Sequence, residues 1–324
     1  MKRPHTHEMI TISPIMESDV EVIEDMAWKA FNSITTIHSI LESYVGLGYA
    51  KDAIVEHIRE LYQLSPEEFL VARMDNKPIG FIASQINSMT SIALIDLLAT
   101  LPGFWGKGIG TQLLKASLEL FLMKGISVVW ISYDIGNDAA GHLYQEKSGF
   151  TPFGKANFYA KKLSDSDALT RTSSISRVTI EKTDDKQGIG QLVRNNHLSF
   201  FVERMLKKEH RLAFNLEVII KRVLEDQQKP PSETFLITED DLPKGFILAR
   251  PEVGGRVVKL SQIIVPDVIT GTNALRSIIQ VQASKGAKAI YCELSEGNSL
   301  EHMILTETGF TLVHGLHLLS YKIT

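Results

Sequence analysis

Cysteine is all but missing from this chain, with Cys292 the single one among 324 residues, and that excludes an internal disulfide framework. It lies in the apolar run AKAIYCEL, which reads as a buried strand, so a core thiol is expected rather than a nucleophile. Long apolar runs are missing too. None approaches about eighteen residues, so no membrane-spanning helix is predicted and no membrane partner is expected. The amino terminus has neither a hydrophobic signal core nor an Arg-rich amphipathic presequence, and the expected compartment is the cytoplasm. An excess of either charge is missing as well: 34 Lys and Arg stand against 38 Asp and Glu, for a formal net charge of −4. Nothing global asks for nucleic acid, and no metal site is predicted. What remains is 44% apolar and 22% charged residues, the composition of a globular chain of two ordinary domains.

The stretch Ile95 to Thr111, IDLLATLPGFWGKGIGT, organises the rest. It reads as a strand stopped by Pro102, a turn with Gly103, Gly106, Gly108 and Gly110, and a helix beginning near Thr111. That order builds an anion site, because glycines let the backbone approach a ligand and the free N–H groups of the first helical turn point at it. The spacing fits neither a Walker loop nor a dinucleotide fingerprint. An ordinary tight strand-to-helix connection has the same glycine content. A second pattern about thirty residues on decides between the two: Asn137, Ala140, Leu143, Tyr144 and the pair Gly149, Phe150.

Together these residues resemble the two signatures of the GNAT superfamily of N-acetyltransferases. The first is Arg or Gln, two residues, Gly, any residue, Gly or Ala; Gly108 and Gly110 fill the glycine positions and Trp105 replaces the Arg or Gln. The resemblance implies acetyl-CoA as co-substrate, an amine acceptor, and a monomer or homodimer. It implies that Trp105, Gly106, Lys107, Gly108, Ile109, Gly110 and Thr111 hold the pyrophosphate, mainly by main-chain N–H groups. It implies further that Leu98, Ala99 and Thr100, on a central strand splayed from its neighbour, pair with the pantetheine arm and polarise the acetyl carbonyl. Asn137 would contact the same arm, or cap the helix that starts at Asp138, or do both.

Tyr144 is the predicted acid. With a reference pKa near 10 against about 8.5 for a thiol, a tyrosine is protonated at neutral pH and can hand its proton to a leaving thiolate. The interval from Tyr144 to Gly149 is five residues where the family has four, which predicts a bulged helix end. For the base, Asp96 lies two and four residues before Leu98 and Thr100, hence on the same strand face by simple alternation. His38 and His57 are further candidates, though each reads more readily as a surface or cap histidine than as a base.

Taken in order, the chain predicts a strand at Ile10–Ile12, then a helix capped by Ser18 and Glu21 that turns Val22, Met26, Ala27, Ala30 and Phe31 inward. A helix at Ala53–Tyr62 comes next, then a hairpin of Glu68–Met74 and Gly80–Ile86, the central strand Ile92–Thr100, and a helix closing at Lys124 and Gly125. A strand at Ser127–Tyr133, a short helix at Asp138–Lys147 and strands around Thr151 and Tyr159 complete the first copy. Ser164 to Ser176 reads as a polar linker.

Residues 177–324 look like a second copy. Pro243, Gly245 and Phe246 answer Pro78, Gly80 and Phe81 at an offset of 165, whereas Gly271, Gly286 and Asn298 answer Gly110, Gly125 and Asn137 at 161. The missing residues fall on the glycine loop, and Leu305 stands where the first copy has Tyr144. Gly188, Ile189, Gly190 comes after no strand and reads as a helix or loop start. The basic run Arg204, Lys207, Lys208, His210, Arg211 is interrupted by glutamates and reads as a solvated face.

The predicted fold is therefore α/β (α+β) with two tandem GNAT-like domains, each a mixed, mostly antiparallel central sheet flanked by helices. Residues 1–165 would carry the intact acetyl-CoA site, 166–176 the linker, and 177–324 a degenerate copy. For the acceptor, LLATLPG, GKGIG, GN.AA and Phe158, Tyr159 are similar to bacterial enzymes acetylating nucleotide-linked amino sugars of the TDP-fucosamine type. An acetyltransferase for another amine, related to mycothiol synthase or acting on a peptide or polyamine, and a non-catalytic acetyl-CoA sensor are the alternatives.

Overall fold

Two units make up the chain, and neither is continuous in sequence: unit 1 takes Met1–Thr36, Lys51–Phe153 and Leu316–Thr324, and unit 2 takes Ile37–Ala50 and Gly154–Gly315. The structure, a computed structural model, describes residues 10–87, 91–169, 178–195, 221, 223–225, 227–228 and 230–323. The predicted basic run at 204–211 and most of the predicted linker lie outside these residues. The described part of that linker includes a short helix, α6 (Asp165–Leu169).

Unit 1 is a six-stranded sheet. Its order is β1 (Ile10–Pro14), β2 (Leu70–Met74), β3 (Lys77–Asn87), β4 (Ile92–Thr100), β5 (Val128–Asp134) and the last part of β12 (Thr311–Lys322). Neighbours are antiparallel except β4 and β5, which run parallel. The β2–β3 hairpin turns at Asp75 and Asn76, both at positive φ (50° and 63°), where short polar side chains are tolerated. Helix α1 (Val20–Phe31) and helix α3 (Tyr49–Leu64) cover one face, with Ile23, Met26, Ala27, Ile54, Ile58 and Leu61 packed on Val71, Phe81 and Ala99. Helix α4 (Ile109–Met123) covers the other, setting Leu113, Leu114 and Phe121 on Ile82, Ala93, Ile95 and Val129.

Several local expectations shift here. Val22 is exposed and Ile23 takes its inward place. The predicted Ser18–Glu21 cap is replaced by Asp19, whose carboxylate accepts from the Met16 N–H at 2.8 Å and pairs with the buried Arg73 guanidinium. The turn thus closes on Met16 and Asp19, two residues before the pair that the capping pattern suggested, with Asp19 buried against Arg73. Helix α2 (Ile37–Val45), in unit 2, was not predicted, although Ile37 and Leu41 have helical spacing.

Unit 2 repeats the plan. Its order is β7 (Val178–Lys182), β8 (Glu233–Glu239), β9 (Leu242–Glu252), β10 (Val257–Ile264), β11 (Ala289–Ser295) and β6 (Thr151–Lys162), again with one parallel pair, β10 with β11. Asp240 and Asp241 repeat the positive-φ turn. Helices α8 (Val268–Ser284) and α9 (Ser299–Glu307) pack on one face around Ile278, Ile290, Cys292 and Ile304. Helix α7 (Lys186–Asn195) packs on the other; contrary to the expectation a strand, β7, does precede it, but Gly188 and Gly190 lie inside the helix rather than in a loop before it. Cys292 is a buried free thiol, and burial pushes its pKa well up, which suits a core residue.

The units cut across the boundary expected near residue 165. Leu316–Lys322 pair with Val128–Asp134 in unit 1, while Ala156–Lys162 pair with Ala289–Ser295 in unit 2. Each unit thus has a closing strand that lies far in sequence from the strand beside it. Local periodicity specifies that a strand forms, not which edge receives it.

Candidate active site

The parallel pair in unit 1 comes apart. β4 and β5 are in register from Ile92/Val128 to Ile95/Ile131 and no further, after which β5 continues against β12 alone. Beyond Ile95, the edge of β4 that faces β5 has no strand partner among the described residues, which leaves backbone groups between Leu97 and Thr100 for a ligand, apart from the Thr100 carbonyl that the Trp105 indole holds. The cause is visible in the β3–β4 ladder: Ala83 faces Leu97 but Ser84 faces Ile95, so Asp96 is an extra residue, a β-bulge.

The bulge also corrects the simple alternation. Leu97 packs with Ala99 and Leu101 toward α1 and α3, whereas Leu98 packs with Ile95 toward α4. Asp96 accepts a hydrogen bond from Gln85 Nε2 at 3.0 Å. It is therefore not on one face with Leu98 by a count of two, because the inserted residue resets the count.

Behind the splayed edge, Pro102–Phe104 form one turn of 3-10 helix, and Gly106 and Gly108 take positive φ (74° and 79°) to lead into α4. The helix starts at Ile109, two residues before the predicted Thr111. No side chain caps it. Gln112 is the first residue whose N–H returns to the helix, onto the Gly108 carbonyl at 3.0 Å, so those of Ile109, Gly110 and Thr111 are left for an anion. A Cβ on Gly106 or Gly108 would meet nothing within 4 Å, so the space over the loop is open, whereas one on Gly110 would touch Leu143 Cδ2 at 3.2 Å and Leu98 Cδ2 at 3.5 Å. Trp105 is exposed and its indole N–H donates to the Thr100 carbonyl at 3.0 Å; Lys107 is exposed, its Nζ 4.7 Å from the Phe104 ring centroid.

A Gly108→Val exchange meets no protein atom, so its effect is through the backbone: a β-branched residue avoids φ near 79° and would force the loop to another path. Acetyl-CoA affinity is expected to fall on the order of tenfold or more, with the melting temperature little changed. Calorimetric titration of the variant checks this.

Asn137 does cap: its Oδ1 accepts from the Ala140 N–H at 3.2 Å and starts the short helix α5 (Asp138–Gly141). His142–Lys147 then form a π-turn, closed where the Phe150 N–H reaches the Tyr144 carbonyl at 2.9 Å. This is the bulged end that the extra residue between Tyr144 and Gly149 implied. The turn sets Tyr144 into the core formed by α4 and the sheet, beside Leu143 and Leu98. Burial, and secondarily the Asp134 carboxylate, push the Tyr144 hydroxyl well above its ordinary value, so it holds its proton throughout the neutral range. Among the described residues no side-chain hydrogen bond uses that hydroxyl.

Two neighbours were missed by the sequence reading. Tyr133, two residues past the splay point, lies edge-on to Tyr144 with ring centroids 6.2 Å apart, and its hydroxyl accepts from Gln145 Nε2 at 2.8 Å. His317, directly opposite it on β12, stacks on Tyr133 at 4.9 Å. Tyr133 was legible as a strand residue next to the pattern, but nothing local ties His317 to it. Of the other histidines, His57 lies on α3 in unit 1, while His38 belongs to unit 2, where it contacts the Tyr49 ring at 6.2 Å.

Unit 2 keeps the scaffold and not the groups. β10 and β11 part after Leu260/Cys292, and Ser261 is the bulged residue where unit 1 has Asp96. Leu305 is buried in the place of Tyr144. The glycine loop is gone, and Asp267 caps α8 with its own carboxylate, accepting from the Thr270 N–H at 2.8 Å and the Thr270 hydroxyl at 2.9 Å. An internal anion thus occupies the N-terminus that unit 1 leaves open. Asp267→Ala is expected to cost about 1 kcal/mol of stability, read as a lower urea midpoint, without creating a second acetyl-CoA site.

Residues 34–150 match the acetyltransferase (GNAT) family. An uncharacterised N-acetyltransferase of Methanocaldococcus jannaschii is 28% identical over 94 residues, which are 28% of this chain and 42% of that relative, so the match spans less than half of the relative's length. Among solved structures, a GCN5-related N-acetyltransferase from Sphaerobacter thermophilus is similar at 14% identity, covering 97% of this chain and 95% of that one with a TM-score of 0.65. A tandem GNAT protein from the clavulanic acid biosynthesis pathway is similar at 11% identity, covering 97% and 98%, with a TM-score of 0.69. At these identities the likeness is one of fold, and the fold is that of GNAT proteins in tandem.

Proposed function

We propose that the chain, whose residues 34–150 match the acetyltransferase (GNAT) family, moves the acetyl group of acetyl-CoA to a primary amine of a small molecule, with the chemistry in unit 1. The observation that carries this is the parting of β4 from β5 after Ile95 and Ile131, directly before an uncapped, glycine-entered helix. The residues fit the co-substrate. N–H groups of Ile109, Gly110 and Thr111 hold its pyrophosphate in the open space over Gly106 and Gly108, and the splayed edge of Leu98, Ala99 and Thr100 pairs with its amide arm through the groups other than the Thr100 carbonyl, which the Trp105 indole holds. A backbone N–H of that edge polarises the thioester carbonyl. Asp96 accepts the amine's proton directly or through water, and Tyr144 protonates the departing thiolate. Burial raises the pKa of both Tyr144 and a thiol held beside it, so the proton transfer between them stays matched even though each is a weaker acid than in water.

For the acceptor, the motif similarity to enzymes of the TDP-fucosamine type supports a nucleotide-linked amino sugar. Thiol release from acetyl-CoA, measured with nucleotide-linked amino sugars, polyamines, amino acids and peptide amines, tests both parts. Release with an amino sugar alone supports the full reading. Release with another amine keeps the acetyltransferase and replaces the acceptor; tight acetyl-CoA binding with no release from any amine would make the protein a sensor.

A further inference from the structure

Trp105 is the one aromatic among the large apolar side chains that stand exposed in the described residues, 55% open to solvent. It is nevertheless held. Its indole N–H is bonded to the Thr100 carbonyl at 3.0 Å and its backbone N–H to the Pro102 carbonyl at 3.2 Å. Phe104, just before it, packs against the unit 1 core and fixes the turn from below. With its only polar atom satisfied by the protein, the ring has nothing left to offer but its two apolar faces. An indole has a large apolar area whose exposure to water is unfavourable, and holding such a ring in place removes the freedom that would otherwise compensate.

The ring stands one residue before Gly106, at the mouth of the loop whose helix leaves the N–H groups of Ile109, Gly110 and Thr111 open. An anion held there as the pyrophosphate of acetyl-CoA has its adenine one ribose away. We propose that Trp105 is a stacking platform for the adenine ring of acetyl-CoA. This rests on the reading of unit 1 as an acetyl-CoA site and adds a binding role for the side chain at a position where the main chain alone was assigned one. Planar bases stack on indole faces without any hydrogen-bond readout, so the contact would add affinity rather than fix the position of the thioester.

The test compares acetyl-CoA with acetyl-pantetheine, which has the same thioester and amide arm and lacks the nucleotide. In full-length protein, Trp105→Ala is expected to weaken acetyl-CoA binding about tenfold, so that the preference for acetyl-CoA over acetyl-pantetheine falls by that factor. Trp105→Phe, which loses the bond to Thr100 and keeps an aromatic face, is expected to retain most of the preference. Tryptophan emission supplies a direct readout, because Trp130 is buried and Trp28 partly so: acetyl-CoA quenches the wild type, and the quench disappears in Trp105→Ala. If both ligands weaken equally in the alanine variant, the indole braces the loop and stacks nothing. If the preference is unaltered, or if Phe behaves as Ala does, the platform is refuted while the site stands. Wild-type protein that binds neither ligand refutes the site itself.

Discussion

Exchanging Tyr144 for Phe is expected to lower kcat by about two orders of magnitude or more, the usual loss when a general acid is removed, while acetyl-CoA affinity changes by less than about threefold. The substitution keeps the ring against Tyr133 and Phe150 and removes one oxygen. Because that hydroxyl has no hydrogen-bond partner among the described residues, the fold loses little. The separation of kcat from affinity is what identifies an acid: a packing residue would change the melting temperature and both constants together. Pre-steady-state thiol release and a calorimetric titration on the same sample measure it.

Removing Leu316–Thr324 is expected to abolish activity and the cooperative unfolding of unit 1. All of β5, Val128–Asp134, has its partners in that segment. Leu319 is fully buried, and Tyr321 and Ile323 pack on the same core as Tyr144. Without the segment β5 becomes an exposed edge, a template for aggregation, and Tyr133 loses the His317 ring stacked on it. A gentler form of the same prediction is Leu319→Ala, which should cost about 2–5 kcal/mol for the lost contacts and the cavity left behind. Chemical denaturation of that variant and turnover of the truncated chain are the checks; a truncated chain with normal turnover would show that the last strand is dispensable to the site.

How far the sequence reached is clearest from particular residues. The central strand came out as Ile92–Thr100 because its apolar content is bounded by Ser91 and Pro102, and the glycine loop and the π-turn at Tyr144 emerged from spacings within about fifty residues. The repeat was legible because Pro78, Gly80 and Phe81 recur at an offset of 165 and Gly110, Gly125 and Asn137 at 161. Three things were not. The bulge at Asp96 has no signature of its own, since one inserted residue in an apolar strand leaves the composition intact and changes only the facing of the residues after it. The membership of Ile37–Ala50 in unit 2 depends on packing that no local pattern encodes. The pairing of Leu316–Lys322 with β5 joins strands far apart in the chain, and with two similar copies present either copy's closing strand has suitable alternation for either edge. A cut near residue 165 therefore leaves β5 without its β12 partner, and the proposed acetyl-CoA site has to be studied in the whole chain.

The central claim is that one unit of the two holds acetyl-CoA. Titrating full-length protein with acetyl-CoA in a calorimeter, alongside the Gly108→Val variant, tests it most directly. One site per chain is expected in the wild type, with affinity lost in the variant because unit 1 has the open loop and unit 2 has its Asp267 carboxylate in that place. Two sites per chain, or one site that keeps its full affinity in Gly108→Val, would contradict it.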